Sequence, residues 1–382
     1  MTLYISSREL EKEDRLRRII ASKFTQIILP PITKIELVLT ERCTLHCDYC
    51  FVANKNASKR MSLEIAHASI NFLMAHSHDK RELSVAFFGG EPLLEFALMC
   101  QIATYAKEMA KRYGKQISFA VTTNNTRMTH EIARFGRKYD FNYLLSVDGD
   151  QESHDRHRVT AKGVGSWKSV MGTKFDILKS IQGWVGARLT VNPDTVDRLS
   201  SGVRLLHERG VNQFLIGLNM DVEWNENESN IWVEEMEKVR HYYFDQKLKG
   251  SPIRINEFDE TLADIRNNST GKWGCDAGRT RLAVSCSGDL YPCSRFVSPF
   301  PGVEDRYRLG NVFEGITNFT VHAELLDATD QNRPICRSCE YKDYCTGPCA
   351  ASSFHMLGDI HAPQPINCVY SRLRVTRLEK PL

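Results

Sequence analysis

The segment Cys43-Thr44-Leu45-His46-Cys47-Asp48-Tyr49-Cys50 places three thiols within eight residues, directly after a strand-like run over 34–40. Three thiolates this close can grip one face of a cubic iron–sulfur cluster. A [4Fe–4S] cluster normally takes four cysteines. Three leave one iron without a protein ligand, and an open coordination position is where metal chemistry occurs. A zinc knuckle completed by His46 is the first rival, but zinc sites pair close cysteines with a second ligand pair at a set distance. The next cysteine is Cys100. A disulfide framework is a weaker rival. Twelve cysteines in 382 residues are sparse, and no secretory pattern precedes them.

The neighbourhood favours the cluster. Tyr49 stands before the third cysteine, and a second strand-like run, 84–88, ends in Gly89-Gly90-Glu91-Pro92. Cys43–Cys50 resembles the CxxxCx(aromatic)C motif of radical S-adenosylmethionine (radical SAM) enzymes, and Gly89–Pro92 resembles their GGEP segment. The resemblance implies that the open iron is chelated by the amino and carboxylate groups of SAM. It implies further that the backbone of Gly89, Gly90 and Pro92 and the Glu91 side chain hold the SAM amino group, and that Tyr49 lies by the adenine.

Those motifs need a scaffold, and the chain is long enough for two domains or one large barrel. With 42% apolar residues it can bury a sizeable core. Lysine plus arginine total 50 against 47 acidic residues, a net charge of +3, which offers no case for a nucleic-acid partner. No apolar run approaches the ~20 residues that span a bilayer. A soluble, reducing, cytoplasmic setting is expected, which also suits free thiolates.

Residues 1–33 read as an appended helix with Ser6 and Glu9 as a capping box. Packing over a barrel end is the preferred role, with docking of a substrate leader as the alternative. From residue 34 to about 250 strand and helix patterns alternate. The strands are expected at 34–40, 84–88, 116–122, 142–147, 185–191 and 211–217. The helices are expected around 62–77, 93–113, 128–138, 166–182, 194–209 and 229–248, with Ser62, Thr129 and Asp194 as N-caps. Six such units predict an α/β fold with a parallel sheet and helices outside it. Six are fewer than the eight of a closed TIM barrel, and they match the partial (β/α)6 barrel that the resemblance implies. Residues 251–274 read as a linker, and 275–382 as a small cysteine-rich domain.

Ligands of parallel α/β sheets bind at the carboxyl ends of strands. Each chemically suggestive segment follows a strand: Cys43–Cys50, Gly89–Pro92, Thr122-Thr123-Asn124-Asn125 and Ser146-Val147-Asp148-Gly149. Alone, the last two are equally well ordinary turns. With His154-Asp155-Arg156-His157-Arg158 the fourth resembles the radical SAM SxDG…HDxxR stretch. Thr123 and Asn124 are then further candidates for cofactor binding. Ser146 is implied to approach the SAM ribose, and Arg158 or Arg188 the SAM carboxylate, through two parallel hydrogen bonds.

Eight of the other nine cysteines lie beyond residue 274: Cys275, Cys286, Cys293, Cys336, Cys339, Cys345, Cys349 and Cys368. Eight is enough for two fully ligated cubanes, or for two zinc ribbons. Seven of them, spaced around Gly288 and the run Gly288-Asp289-Leu290-Tyr291-Pro292-Cys293, resemble the SPASM extension of peptide-modifying radical SAM enzymes. That resemblance assigns Cys336, Cys339, Cys345 and Cys368 to one auxiliary cluster and Cys275, Cys293 and Cys349 to the other. Cys286 is a candidate fourth ligand of the latter or a buried thiol beside it. Three [4Fe–4S] clusters and SAM are thus the expected cofactors.

The implied chemistry is reductive cleavage of SAM to a 5′-deoxyadenosyl radical that abstracts a substrate hydrogen, with the auxiliary clusters taking an electron afterwards and an unassigned base taking a proton. Two subclasses compete. Sulfatase-maturing enzymes carry an aspartate base directly after the cysteine of the GDxYPC run; this chain has Ser294 there. Maturation of a ribosomal peptide, by an oxidative side-chain crosslink, is therefore the favoured function. Oxidation of a serine or cysteine to formylglycine is the alternative, and a non-catalytic iron–sulfur or zinc scaffold the alternative from another class. The expected partners are a precursor peptide or protein and a flavodoxin- or ferredoxin-type electron donor, with a separate peptide-recognition protein as a further candidate.

Overall fold

The computed structural model describes residues 29–52, 58–266, 275–297, 305–327, 333–342, 345 and 347–376. The helix expected within 1–33 lies almost wholly outside the described residues.

Six strands appear where the alternating pattern places them: β1 (Lys34–Val38), β2 (Glu82–Phe88), β3 (Gln116–Thr123), β4 (Phe141–Ser146), β5 (Gly186–Val191) and β6 (Gln213–Leu218). They pair in sequence order, and every pair is parallel. Helices cross between them, as parallel connections require. Burial alternates along the strands. In β5, Ala187, Leu189 and Val191 are buried, while Arg188 and Thr190 are half-exposed. The buried set packs under the helices, and the half-exposed set lines an open interior.

The sheet is longer than six strands. β7 (Arg254–Ile255) extends it beside β6, and β8 (Arg281–Val284) runs parallel to β1 at the other edge. β9 (Asp289–Tyr291), β10 (Gly310–Asn311) and β11 (Gly315–Ile316) follow antiparallel, giving the order 11-10-9-8-1-2-3-4-5-6-7. The cysteine-rich segment is therefore joined to the barrel through main-chain pairing. The stretch read as a linker is structured as far as it is described. It forms β7 and the helix Asn256–Arg266, whose Glu257 accepts a hydrogen bond from Ile216 N at 3.0 Å. β7 pairs only with Gln213 and Phe214, so that carboxylate satisfies the next edge N–H that a longer strand would have taken.

Helix capping follows the sequence at two of three positions. Ser62 and Thr129 accept from Ile65 N and Ile132 N at the starts of Leu63–His76 and His130–Tyr139. Asp194 does not cap. It lies inside a 3-10 turn, Pro193–Arg198, and receives Arg156 and His157 instead. The helix expected over 166–182 breaks at Gly172 into Trp167–Met171 and Thr173–Ile181, because glycine is a poor helix former and here lies against Lys168 O. Between β1 and β6 among the described residues, the helix Gln151–His157 escaped the pattern: capped by Asp150, it is polar and short and carries no apolar period.

Candidate active site

The GGEP segment braces the cysteine loop. Gly89 adopts φ +134°, and a Cβ on it would lie 2.4 Å from Thr40 O; a Cβ on Gly90 would lie 2.1 Å from Arg42 O. Gly90 N donates to Thr40 O and Glu91 N to Arg42 O, each at 2.8 Å. Only glycines permit so close an approach of two backbones. The loop itself is held by His46 N to Val159 O at 2.7 Å and Asp48 N to His157 O at 3.3 Å.

Glu91 is fully buried, and its carboxylate ties two strand ends together. It accepts from Leu93 N (3.0 Å), the Thr123 hydroxyl (2.7 Å) and Asn124 N (2.8 Å). Burial pushes its pKa up to about 7 against those hydrogen bonds. The side chain expected at the SAM amino group thus also braces the loops. Asn124, which it positions, points Nδ2 at Cys43 Sγ (3.5 Å) and at the Thr44 hydroxyl (3.1 Å).

Tyr49 and Arg158 meet on Asp148. Arg158 donates through Nε to Oδ2 at 2.7 Å and through Nη2 to Oδ1 at 3.0 Å, and Thr190 N donates to Oδ1 at 2.8 Å. The Tyr49 hydroxyl donates to Oδ2, and the Arg158 guanidinium lies 5.2 Å from the centre of the Tyr49 ring. Burial raises the Asp148 pKa, but the Arg158 charge and the converging donors overcome it and hold the carboxyl below its ordinary value. Burial also drives the Tyr49 phenol well above its ordinary value, so it remains a donor. Arg158 is therefore engaged by Asp148 and is not a free carboxylate receptor.

Arg188 differs. It is the register partner of Ser146, so the two side chains stand side by side on the interior face. Among the described residues its guanidinium has no hydrogen bond and no ion pair. Ser146 ends β4, Thr123 ends β3 and Gly89–Pro92 follow β2, so these residues share the carboxyl edge of the sheet.

Sequence reasoning missed a second tether. His157 places Nδ1 2.9 Å from Asp48 Oδ2 and Nε2 2.9 Å from Asp194 Oδ1. This links the residue after Cys47 to the end of β5. The HDxxR resemblance contains His157, but nothing in the sequence paired it with two distant aspartates.

The C-terminal cysteines fall into two groups and one outlier. Cys336, Cys339, Cys345 and Cys368 act on one another: burial and then Arg333 and those thiols set the Cys336 pKa, and burial and then Cys345 raise that of Cys368. Cys275, Cys293 and Cys349 form the other group. Burial pushes the Cys293 thiol up, followed by Glu36, Cys349 and Cys275. Cys286 belongs to neither. It is buried at the end of β8, donates to Val38 O at 3.2 Å, and is pushed up to about 12 by burial and then by Glu41. The expectation that it joins an auxiliary cluster is not what its contacts favour: its polar neighbours belong to the first strand and its loop.

Among the described residues no group of three or more His, Cys, Asp or Glu is gathered to hold a single metal ion. A cubane spreads its thiolates over separate irons. None of these thiols is in a disulfide, and three in the Cys43–Cys50 loop with groups of three and four beyond residue 274 fit such clusters. Four further contacts join the cysteine-rich segment to the barrel. Glu36 accepts from Ser294 N at 2.8 Å and faces Arg281 Nη1 at 3.3 Å, while Arg295 pairs with Asp221 and lies 5.6 Å from the Phe51 ring centre.

Residues 37–232 match the radical SAM superfamily, and residues 275–340 match the SPASM iron–sulfur cluster-binding domain. The chain is 23% identical over 364 residues to the radical SAM cyclopropyl synthase TigE of Paramaledivibacter caminithermalis, covering 91% of this chain and 74% of TigE. It is 23% identical to the cysteine-type anaerobic sulfatase-maturating enzyme of Clostridium novyi, covering 81% and 85%. Among solved structures, anSMEcpe with bound AdoMet superposes with a TM-score of 0.74 at 18% identity, covering 90% of this chain and 96% of that one. Streptococcus suis SuiB bound to its precursor peptide SuiA gives 0.61 at 15%, covering 96% and 84%. These establish the α/β fold with its parallel sheet. SAM and [4Fe–4S] clusters are the cofactors that the two domains take. No helix among the described residues is long and apolar enough to cross a membrane.

Proposed function

Because this chain belongs to the radical SAM superfamily and carries a SPASM domain, we propose that it is a peptide-modifying oxidoreductase that forms a crosslink in a side chain of a ribosomal peptide. SAM, bound at the cluster of Cys43, Cys47 and Cys50, supplies the 5′-deoxyadenosyl radical. The protein's part is to hold the cofactor, exclude water and fix one substrate C–H bond in reach. Tyr49, Asn124, Ser146 and Arg188 line the SAM side. Cys336, Cys339, Cys345 and Cys368 hold one auxiliary cluster, and Cys275, Cys293 and Cys349 the other. The cysteine-rich segment continues the sheet beside β1 and reaches the loop after β6 through Arg295 and Asp221, and a peptide would lie between it and the SAM side.

One observation carries the choice of subclass. Position 294, where the sulfatase-maturing pattern requires an aspartate, holds a buried serine whose N–H is fastened to Glu36. A serine hydroxyl is too weak a base for that role. The relatives point both ways, since they include a cyclopropyl synthase and sulfatase-maturating enzymes.

The test is co-expression with each candidate precursor peptide, followed by mass spectrometry. Loss of two hydrogens with matching 5′-deoxyadenosine supports crosslinking. Conversion of a cysteine- or serine-containing sulfatase peptide to formylglycine overturns it. Absence of 5′-deoxyadenosine from fully iron-loaded protein with dithionite and SAM would favour a scaffold.

A further inference from the structure

We propose that Gly217 is the residue that positions Arg188 to receive the α-carboxylate of SAM, a role that rests on the SAM-side reading above. Three features of β5 and β6 carry it. First, Arg188 pairs in register with Ser146 on one side and Leu215 on the other, so its side chain points into the interior between β4 and β6. Second, Gly217 stands one interior position beyond Leu215. A Cβ built on it would lie 2.3 Å from both Nη1 and Nη2 of Arg188 and 2.6 Å from Cζ. The guanidinium thus lies flat across the bare Cα of Gly217. Third, that guanidinium has no hydrogen-bonding or ion-pairing side chain among the described residues, whereas Arg158 is bound at two points by Asp148. A half-buried, unpaired guanidinium beside a serine is suited to a planar anion taken through two parallel hydrogen bonds.

The position needs no glycine for backbone reasons, since Gly217 has no positive φ. Its missing side chain matters through the space it leaves. An alanine there meets the far end of a flexible side chain, so the arginine moves and the strand stays.

The experiment compares the binding of SAM and of decarboxylated SAM, which lacks only the carboxylate, to anaerobically reconstituted protein by calorimetry. Wild type is expected to prefer SAM. Gly217→Ala is expected to weaken SAM at least tenfold while changing decarboxylated SAM less than twofold. Because the space is vacated when the arginine is shortened, Gly217→Ala added to Arg188→Ala should fold and should cost no further SAM affinity. SAM affinity within twofold of wild type in Gly217→Ala, an equal loss for both ligands, or a further tenfold loss in the double variant would each overturn the proposal. A wild type that binds the two ligands equally would overturn the SAM-side reading as well, which separates the two failures.

Discussion

Arg158 and Asp148 form a two-point pair that is more than nine-tenths buried on both sides, at 2.7 and 3.0 Å. It stands between the cysteine loop, through Tyr49, and β5, through Thr190 N. Its function is to lock one loop against another. Removing one member of a buried pair leaves the other charge uncompensated. Asp148→Asn should therefore lower stability by about 3 kcal/mol, measured by anaerobic urea unfolding. It should also release iron from the Cys43–Cys50 site before the C-terminal clusters. A change below about 0.5 kcal/mol, the size of a surface substitution, would show that the pair is not a tether.

Cys286→Ala should leave iron content and electronic spectrum as in wild type, because its thiol is hydrogen-bonded to Val38 O rather than grouped with Cys275, Cys293 and Cys349. A loss of iron would restore it as a ligand. The triple variant of Cys43, Cys47 and Cys50 to alanine should keep roughly eight irons per chain, four for each auxiliary cubane. A count near zero would contradict the grouping of the C-terminal thiols.

Gly90→Ala puts a methyl group 2.1 Å from Arg42 O, a main-chain atom that cannot swing away. The cysteine loop must shift or the strand ends must part. The expected outcome is loss of the SAM-site cluster, with a cost of about 2 kcal/mol or more. Iron analysis with electron paramagnetic resonance would detect it, and a normal SAM-site signal would show that the close approach is dispensable.

Glu257 is raised by burial from an ordinary 4.5 to about 7, partly offset by its hydrogen bond to Ile216 N and by Arg188. An acid raised on folding holds its proton in the folded state. Its contribution is complete below its unfolded value and is lost as pH rises toward 7. The rise corresponds to roughly 3 kcal/mol. Glu91, also about 7, adds in the same direction. Stability should thus fall between pH 5 and 7. Glu257→Gln, which keeps an oxygen for Ile216 N, should flatten that slope. An equal slope in variant and wild type would rule Glu257 out as its source.

The local pattern was enough for the chemistry-bearing loops and the six strands that present them. Ligand spacing and strand alternation are short-range properties written in consecutive residues. The grouping of the C-terminal thiols came from resemblance, not from local pattern. The roles of single side chains were another matter. Glu91, a candidate for the SAM amino group, is engaged by Thr123 and Asn124; Arg158, one of two candidates for the SAM carboxylate, by Asp148; and Cys286, a candidate ligand or a buried thiol, by Val38. Nothing adjacent in sequence distinguishes Arg158 from Arg188. The difference is which one has a carboxylate within hydrogen-bonding distance after folding, and that depends on where β4 and β5 come to lie. The sequence by itself determined which residue types reach the mouth of the barrel. Only the tertiary structure decided which remain unpaired there, because hydrogen-bond satisfaction is settled by neighbours brought together across the sheet.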